Sequence, residues 1–267
     1  LDEALQRLAA PKAGRRFVVL TFDDGYRDNM VHALPILQRH KAPFTLYVPT
    51  GLVDASGEIW WQAIEDIIAT HDAVRVPAGE APLPAATLAE KQAAFDTLYW
   101  RMRKMPEPQR VELVRSIAGL HGYDLAAQCR QLIMNWDELA RIAADPLCTI
   151  GAHTVRHYEL SKLPEAEARA EMAESVEVIH RQLGLLPTHF SYPLGGPLSA
   201  GEREFRLARE LGFHTAVTTR PGGLYAHHLQ SLHALPRVSL NGYFQNRRYV
   251  DVFASGAIFS VLGRLTG

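Results

Sequence analysis

The run Phe17 to Phe22 (F-V-V-L-T-F) constrains this chain most: it is short, β-branched and apolar with no polar alternation, as in a strand buried on both faces. It ends in Asp23-Asp24-Gly25, a turn signal. From Asn29 to His40 the apolar residues Met30, Val31, Leu34, Ile36 and Leu37 follow helical spacing. A second apolar run, Phe44 to Val48, stops at Pro49, Thr50 and Gly51. The simplest reading is strand, helix, strand.

From Trp60 to about Leu139 the pattern changes to helix formers with interspersed prolines, which reads as a helical insertion. Its proline-rich piece, Val76 to Pro84, is expected to be an exposed connection. Alternation then resumes. Thr149 to Ala152 reads as a strand end, Glu165 to Leu183 as an amphipathic helix ended by Gly184, and Phe190 to Pro193 as the next strand end. Glu202 to Leu211 reads as a helix stopped by Gly212, His214 to Thr219 as a strand, and Pro236 to Leu240 as the last strand. The implied class is α/β, a mostly parallel sheet either open or closed into a barrel. With 267 residues, 47% of them hydrophobic, we expect a single domain over 1–267, with the helical insertion at about 60–139.

The formal net charge of -1, with both signs scattered along the chain, argues against nucleic acid or another polyanion as partner and favours a neutral substrate. Two cysteines, Cys129 and Cys148, form no zinc knot, redox pair or disulfide framework and read as buried thiols. No apolar run reaches the roughly 18 to 20 residues of a spanning helix, and no signal-peptide pattern opens the sequence. The chain as given therefore reads as soluble, with cytoplasmic and exported locations both open. Oligomeric state is not legible in the sequence.

Two strand ends carry chemistry. Asp23 and Asp24 stand where a buried strand gives way to a glycine turn, and α/β sheets bind ligands at the carboxyl ends of their strands. Polar turn chemistry explains the same Asp-Asp-Gly string equally well. His153 and His157, in His153-Thr154-Val155-Arg156-His157, follow another strand end, and on a helical turn their spacing puts both imidazoles on one side. In a chain with 12 histidines that spacing can also be accidental. Together, one carboxylate and two imidazoles form a facial set that leaves positions open for water and substrate. The other carboxylate can then take the proton of the attacking water.

The combination T-F-D-D-G followed by H-T-x-x-H resembles the polysaccharide deacetylases of carbohydrate esterase family 4, the NodB-homology domain. The resemblance covers about Val18 to Leu240 and implies a distorted (β/α) barrel with a groove across its top. It implies Asp23 as general base and Asp24, His153 and His157 as ligands of a divalent metal, zinc foremost, with cobalt, nickel or manganese as alternatives. Phe190-Ser191-Tyr192-Pro193-Leu194-Gly195 is similar to the family's third motif, which implies an oxyanion contact from the backbone N–H of Tyr192. Where many members carry an arginine that orients the base, Ser191 stands here, and Arg237 is the candidate to supply that charge from another strand.

The family's aromatic segment under the acetyl methyl group has no recognisable match, which leaves Trp60, Trp61 and Trp136 as candidates. Its closing histidine, the leaving-group acid, also lacks a clean match, although His228 and His233 lie in that region. The implied activity is hydrolysis of N-acetyl groups from amino sugars of an acetylated glycan through metal-activated water. O-acetyl or N-formyl deacylation of a glycan or glycolipid, and a non-catalytic glycan-binding role, are the alternatives. No nucleotide-binding glycine motif follows a strand.

Overall fold

The computed structural model describes residues 1–10, 17–242, 246–256 and 259. Six strands form one parallel sheet in the order β1, β2, β5, β6, β7, β8: β1 (Leu20–Phe22), β2 (Phe44–Val48), β5 (Cys148–Ala152), β6 (His189–Ser191), β7 (Thr215–Pro221) and β8 (Leu235–Arg237). Each strand pairs with the one that precedes it in this series, so the chain winds in one direction and the sheet curls into an α/β half-barrel. β1 and β8 are its free edges. Pro236, which has no N–H for a ladder, sits on such an edge.

β2 is buried along its whole length, as a strand covered on both faces must be. Phe44, Leu46 and Val48 face the main core with Ile150, Phe190 and Met172, under helices α2 (Leu34–His40), α8 (Trp136–Ala143), α9 (Glu165–Leu183) and α10 (Glu202–Glu210). Tyr47 faces the opposite way, against Val217 and Leu235 inside the curl. Gly151 is required there, because a Cβ at that position would lie 2.4 Å from the Tyr47 ring.

The helix expected over 29–40 forms, but residues Asn29–Ala33 are wound as a π-turn ahead of α2. Pro35 has no N–H to donate one turn back, and the Leu34 N–H reaches the Asn29 carbonyl instead. Between β2 and β5 lies α3 (Thr50–Val53), and the insertion that follows contains α4 (Trp60–Thr70), α5 (Leu88–Lys104), α6 (Glu107–Leu120) and α7 (Leu125–Leu132) around its own apolar cluster of Trp60, Ile64, Ile67, Leu98, Met102 and Ile117. The stretch expected to be an exposed connection ends in β4 (Leu83–Pro84), which pairs antiparallel with β3 (Ala73–Val74) just before it, and Val76 is buried. Two residues per strand are too few to show a period.

Both cysteines are free, Cys129 buried and Cys148 partly buried. The described residues contain no helix long and apolar enough to cross a membrane.

Candidate active site

Asp23 and Asp24 follow directly on β1. Asp24 (φ 69°) and Gly25 (φ 71°) both adopt the left-handed conformation that turns the chain away from the strand. The turn is held from the far end of the insertion: the Met134 N–H donates to the Gly25 carbonyl at 3.0 Å, and Tyr26 bridges to Ile133. The Arg27 guanidinium donates to the carbonyls of Arg130 (2.9 Å) and Ile133 (2.8 Å) and pairs with Glu138 at 2.9 Å. Glu138 also completes the N-terminal capping box of α8 with the N-cap Asn135.

His153 to His157 leave β5 as an irregular loop rather than the expected helical turn. Thr154 (φ 63°) and His157 (φ 55°) are left-handed, and the His157 N–H donates to Thr154 Oγ1 at 3.0 Å. Non-glycine residues in this region carry strain that their surroundings must hold in place. Buried Glu171 on α9 accepts from the N–H groups of Val155 and Arg156, at 3.0 and 2.8 Å, and pairs with the Arg156 side chain. From the other side, Thr50 and Gly51 donate to the carbonyls of Thr154 and Val155.

These two loops bring Asp24, His153 and His157 together, with one ligand atom of each within 4.8 Å of the others. Asp24 Oδ1 lies 3.4 Å from His153 Nε2 and 3.3 Å from His157 Nε2, is buried, and has no hydrogen-bond donor. His153 Nδ1 donates to the Ser191 carbonyl at 2.6 Å, so the lone pair of its other nitrogen faces Asp24. Burial, opposed in part by the Asp24 carboxylate, holds the His157 pKa at about 4. Burial also works against charge on His153, but the Asp24 and Asp23 carboxylates outweigh it and raise that pKa. Three acceptors directed at one point fit a cation, and this donor set suits a borderline divalent metal.

Asp23 sits beside this cluster and is gripped by Arg237. Nη1 donates to Oδ1 and Nη2 to Oδ2, both at 2.8 Å, while Nη2 also reaches Ser191 Oγ at 3.0 Å. The rest of the guanidinium is committed across the open edge of the sheet, to Thr21 Oγ1 (3.3 Å) and the Thr218 carbonyl (3.0 Å). Burial alone would raise the Asp23 pKa, but Arg237 and His153 overcome it and hold the carboxyl at about 2. The structure thus places the Arg237 guanidinium, carried by β8, directly against Asp23.

Trp61 packs its ring 4.9 Å from that of His157 and donates its indole N–H to Tyr26 Oη at 3.0 Å. Of the three tryptophans considered, it alone meets a ring of the cluster. Trp60 is in the insertion core, and Trp136 donates to Asp54.

Tyr192 is a correction. Its N–H donates to the Val217 carbonyl at 3.2 Å, extending the pairing of β6 with β7, and is not free for an oxyanion. Its ring is fully buried beside Phe190 and Phe205, and its hydroxyl donates to the His233 carbonyl. The histidines suggested as acid lie elsewhere. The His233 ring bonds to the Phe213 carbonyl, where β7 and β8 begin, at the opposite end of the strands from the cluster. His228 packs on Tyr225 in an exposed short helix.

The insertion also grips the loop that follows His157. Glu107 accepts from the Glu159 N–H at 3.1 Å and pairs with Arg110, and both are almost wholly buried. Arg110 stacks over the rings of Trp60 and Tyr158, and Lys162 pairs with Glu159 at 2.9 Å. Arg110→Met leaves Glu107 buried without its main partner. It is expected to cost about 3 kcal/mol in urea denaturation, and an unchanged midpoint would show the pair to be dispensable.

Residues 10–92 and 111–216 match the sequence family described as Polysaccharide deacetylase, and the chain belongs to that family. A stretch of 93 residues is 32% identical to YxkH of Bacillus subtilis (strain 168), which carries the provisional name of polysaccharide deacetylase. The match takes in 35% of this chain and 32% of YxkH, so the chain spans about a third of that curated relative. Among solved structures, the Streptococcus pyogenes deacetylase PplD, in complex with acetate, superposes with a TM-score of 0.55 at 18% identity, over 90% of this chain and 71% of PplD. IcaB from Ammonifex degensii gives 0.54 at 19% identity (96% and 79%), and the BpsB deacetylase domain from Bordetella bronchiseptica 0.51 at 16% (87% and 74%). At such identities the likeness is one of fold, the curled (β/α) half-barrel of NodB type.

Proposed function

We propose that this chain is a divalent-metal-dependent hydrolase that removes N-acetyl groups from amino-sugar residues of an oligo- or polysaccharide. The observation that carries the reading is the placement of a second carboxylate, Asp23, against a cluster of Asp24, His153 and His157 that has the ligand set and geometry of a catalytic metal site. Zinc is the first choice of metal. When bound, it would polarise the acetyl carbonyl and acidify the attacking water.

The remaining steps fall to the protein. Asp23, an anion at all working pH values, takes one proton from the water as its oxygen bonds to the carbonyl carbon. A carboxyl held at about 2 is a weak base but, once protonated, a strong acid. The same proton can therefore pass to the nitrogen as the C–N bond breaks, leaving acetic acid and a free amine. Arg237 keeps both Asp23 oxygens in place throughout, and Trp61 gives the site an apolar wall beside His157.

A second reading, O-acetyl ester hydrolysis, is favoured by one feature: among the described residues no further histidine stands at the cluster to protonate an amine. Acetate release from N-acetylglucosamine oligomers, set against O-acetylated xylan, separates the two. Stripping with chelator should abolish release and Zn²⁺ or Co²⁺ should restore it; undiminished release by the stripped protein would refute metal dependence.

Metal binding needs both imidazoles neutral, and because the Asp24 and Asp23 carboxylates outweigh burial and raise the His153 pKa, uptake competes with protonation of that ring as pH falls. Calorimetry of Zn²⁺ binding in buffers of different ionisation enthalpy is expected to show proton release that grows as pH falls. Binding heats independent of the buffer would contradict this.

A further inference from the structure

Beyond the cluster of Tyr47, Val217 and Leu235, the described residues leave space inside the curled sheet. A cavity of about 1320 Å³ opens between the free edges of β1 and β8, with half-buried Val19 at its mouth, and runs inward past the buried Val217 and Leu235. This is larger than the roughly 300 to 1,000 Å³ of ordinary small-molecule pockets. Its inner end is polar and is formed by Thr21, Asp23 and Arg237, the groups that hold the candidate base in place.

The outer end is apolar. Val18, Leu240, Val250 and Tyr225 line the mouth and are 63%, 56%, 42% and 40% exposed, although single large apolar groups usually lie scattered over a protein surface. Val250 belongs to α11 (Arg247–Ser255), which also lines the cavity through Phe253 and Ala254.

A cavity whose polar end touches the reacting carboxylate and whose apolar end reaches an apolar rim matches an amphiphile lying lengthwise. We infer that it holds the hydrocarbon tail of the substrate, so that the sugar presented to Asp23 is the head of an acetylated lipid-linked glycan. The inference rests on the deacetylase reading for the identity of the head group, and on the cavity alone for the tail. A polymer threaded through a surface groove would use neither the apolar walls nor the rim, and burying an alkyl chain along them removes it from water.

The test uses the zinc-loaded protein, two substrates and one probe. The substrates are the hexadecyl and methyl glycosides of N-acetylglucosamine, kept below micelle formation, and the probe is the fluorescent fatty acid cis-parinaric acid. The hexadecyl glycoside is expected to be turned over with a kcat/KM about tenfold or more above that of the methyl glycoside, and the probe to bind competitively with it. Val19→Trp, at the mouth, and Val250→Trp, on exposed α11 where a larger ring fits without repacking, should bring that ratio close to one and weaken the probe. Leu186→Trp, outside the cavity, should leave the ratio intact.

Equal kcat/KM for the two glycosides, a preference that survives both mouth variants, or no probe binding would overturn the tail site. Acetate release from neither glycoside, with probe binding still blocked by Val19→Trp, would instead sink the deacetylase reading and leave the tail site standing.

Discussion

With asparagine at position 23, the protein is expected to keep its metal at full stoichiometry and lose about 10² to 10⁴ of its acetate-releasing rate. Asparagine preserves shape but cannot accept a proton from water. Its amide can turn its oxygen toward one arm of the Arg237 fork, so the pocket keeps its form, whereas the NH₂ group meets guanidinium donors on the other arm. His153→Ala and His157→Ala should give the opposite pattern. Each deletes one of the three atoms that face a common point, and metal content, read by mass spectrometry after dialysis, should fall with activity. If Asp23→Asn emptied the site, or turned over at the native rate, the division of labour between the two aspartates would be wrong.

The placement of these residues was legible in the sequence to a definite depth. The strand ends that deliver Asp23, Asp24 and His153 announce themselves, because an apolar run followed by polar and glycine residues has few other uses. The helical stretch begins, as the change to helix formers suggests, with α4 at Trp60, whereas the expected end at about 139 falls inside α8, which packs on the main core.

What holds these residues in place does not show. Arg27 reaches carbonyls more than a hundred positions away, Glu171 collects N–H groups of the loop after His153 from α9, and Glu107 takes the Glu159 N–H from the insertion. Each is an ordinary charged residue on its own helix or turn, and only the tertiary fold reveals its partner. The histidine spacing was right for the wrong reason. His153 and His157 meet because a left-handed loop, pinned by Thr154 and Glu171, turns them inward, not because a helix places them four apart. Tyr192 was misjudged because its oxyanion role was carried over from the resemblance of residues 190–195 to a family motif, whereas here its N–H belongs to the ladder with Val217.

Arg237 is where fold and chemistry coincide, and its replacement should be felt in both. The guanidinium ties β8 to β1 across the unpaired edge of the sheet through Thr21 and Asp23, and it also bonds Ser191 and the Thr218 carbonyl. Arg237→Met removes all of these and leaves the Asp23 charge unpaired in a poorly solvated site. The expected loss is about 3 to 5 kcal/mol of stability at neutral pH.

Asp23 has its pKa depressed in the folded protein, so its pairing adds stability above the unfolded value near 3.8, and that contribution disappears as pH falls toward 2. The gap between Arg237→Met and the native protein should therefore narrow below about pH 4 in denaturant titrations. In the variant the Asp23 pKa rises, and the acid limb of kcat/KM should move to higher pH.

Arg237→Lys discriminates charge from geometry. One ammonium can restore part of the stability, but it cannot hold both carboxylate oxygens, Ser191 and two β-strands at once, so turnover should stay low while the protein regains much of its folding energy. Native turnover in Arg237→Lys would mean that Asp23 needs only a positive neighbour. An acid limb unmoved in Arg237→Met would mean that Asp23 is not the group that titrates during catalysis.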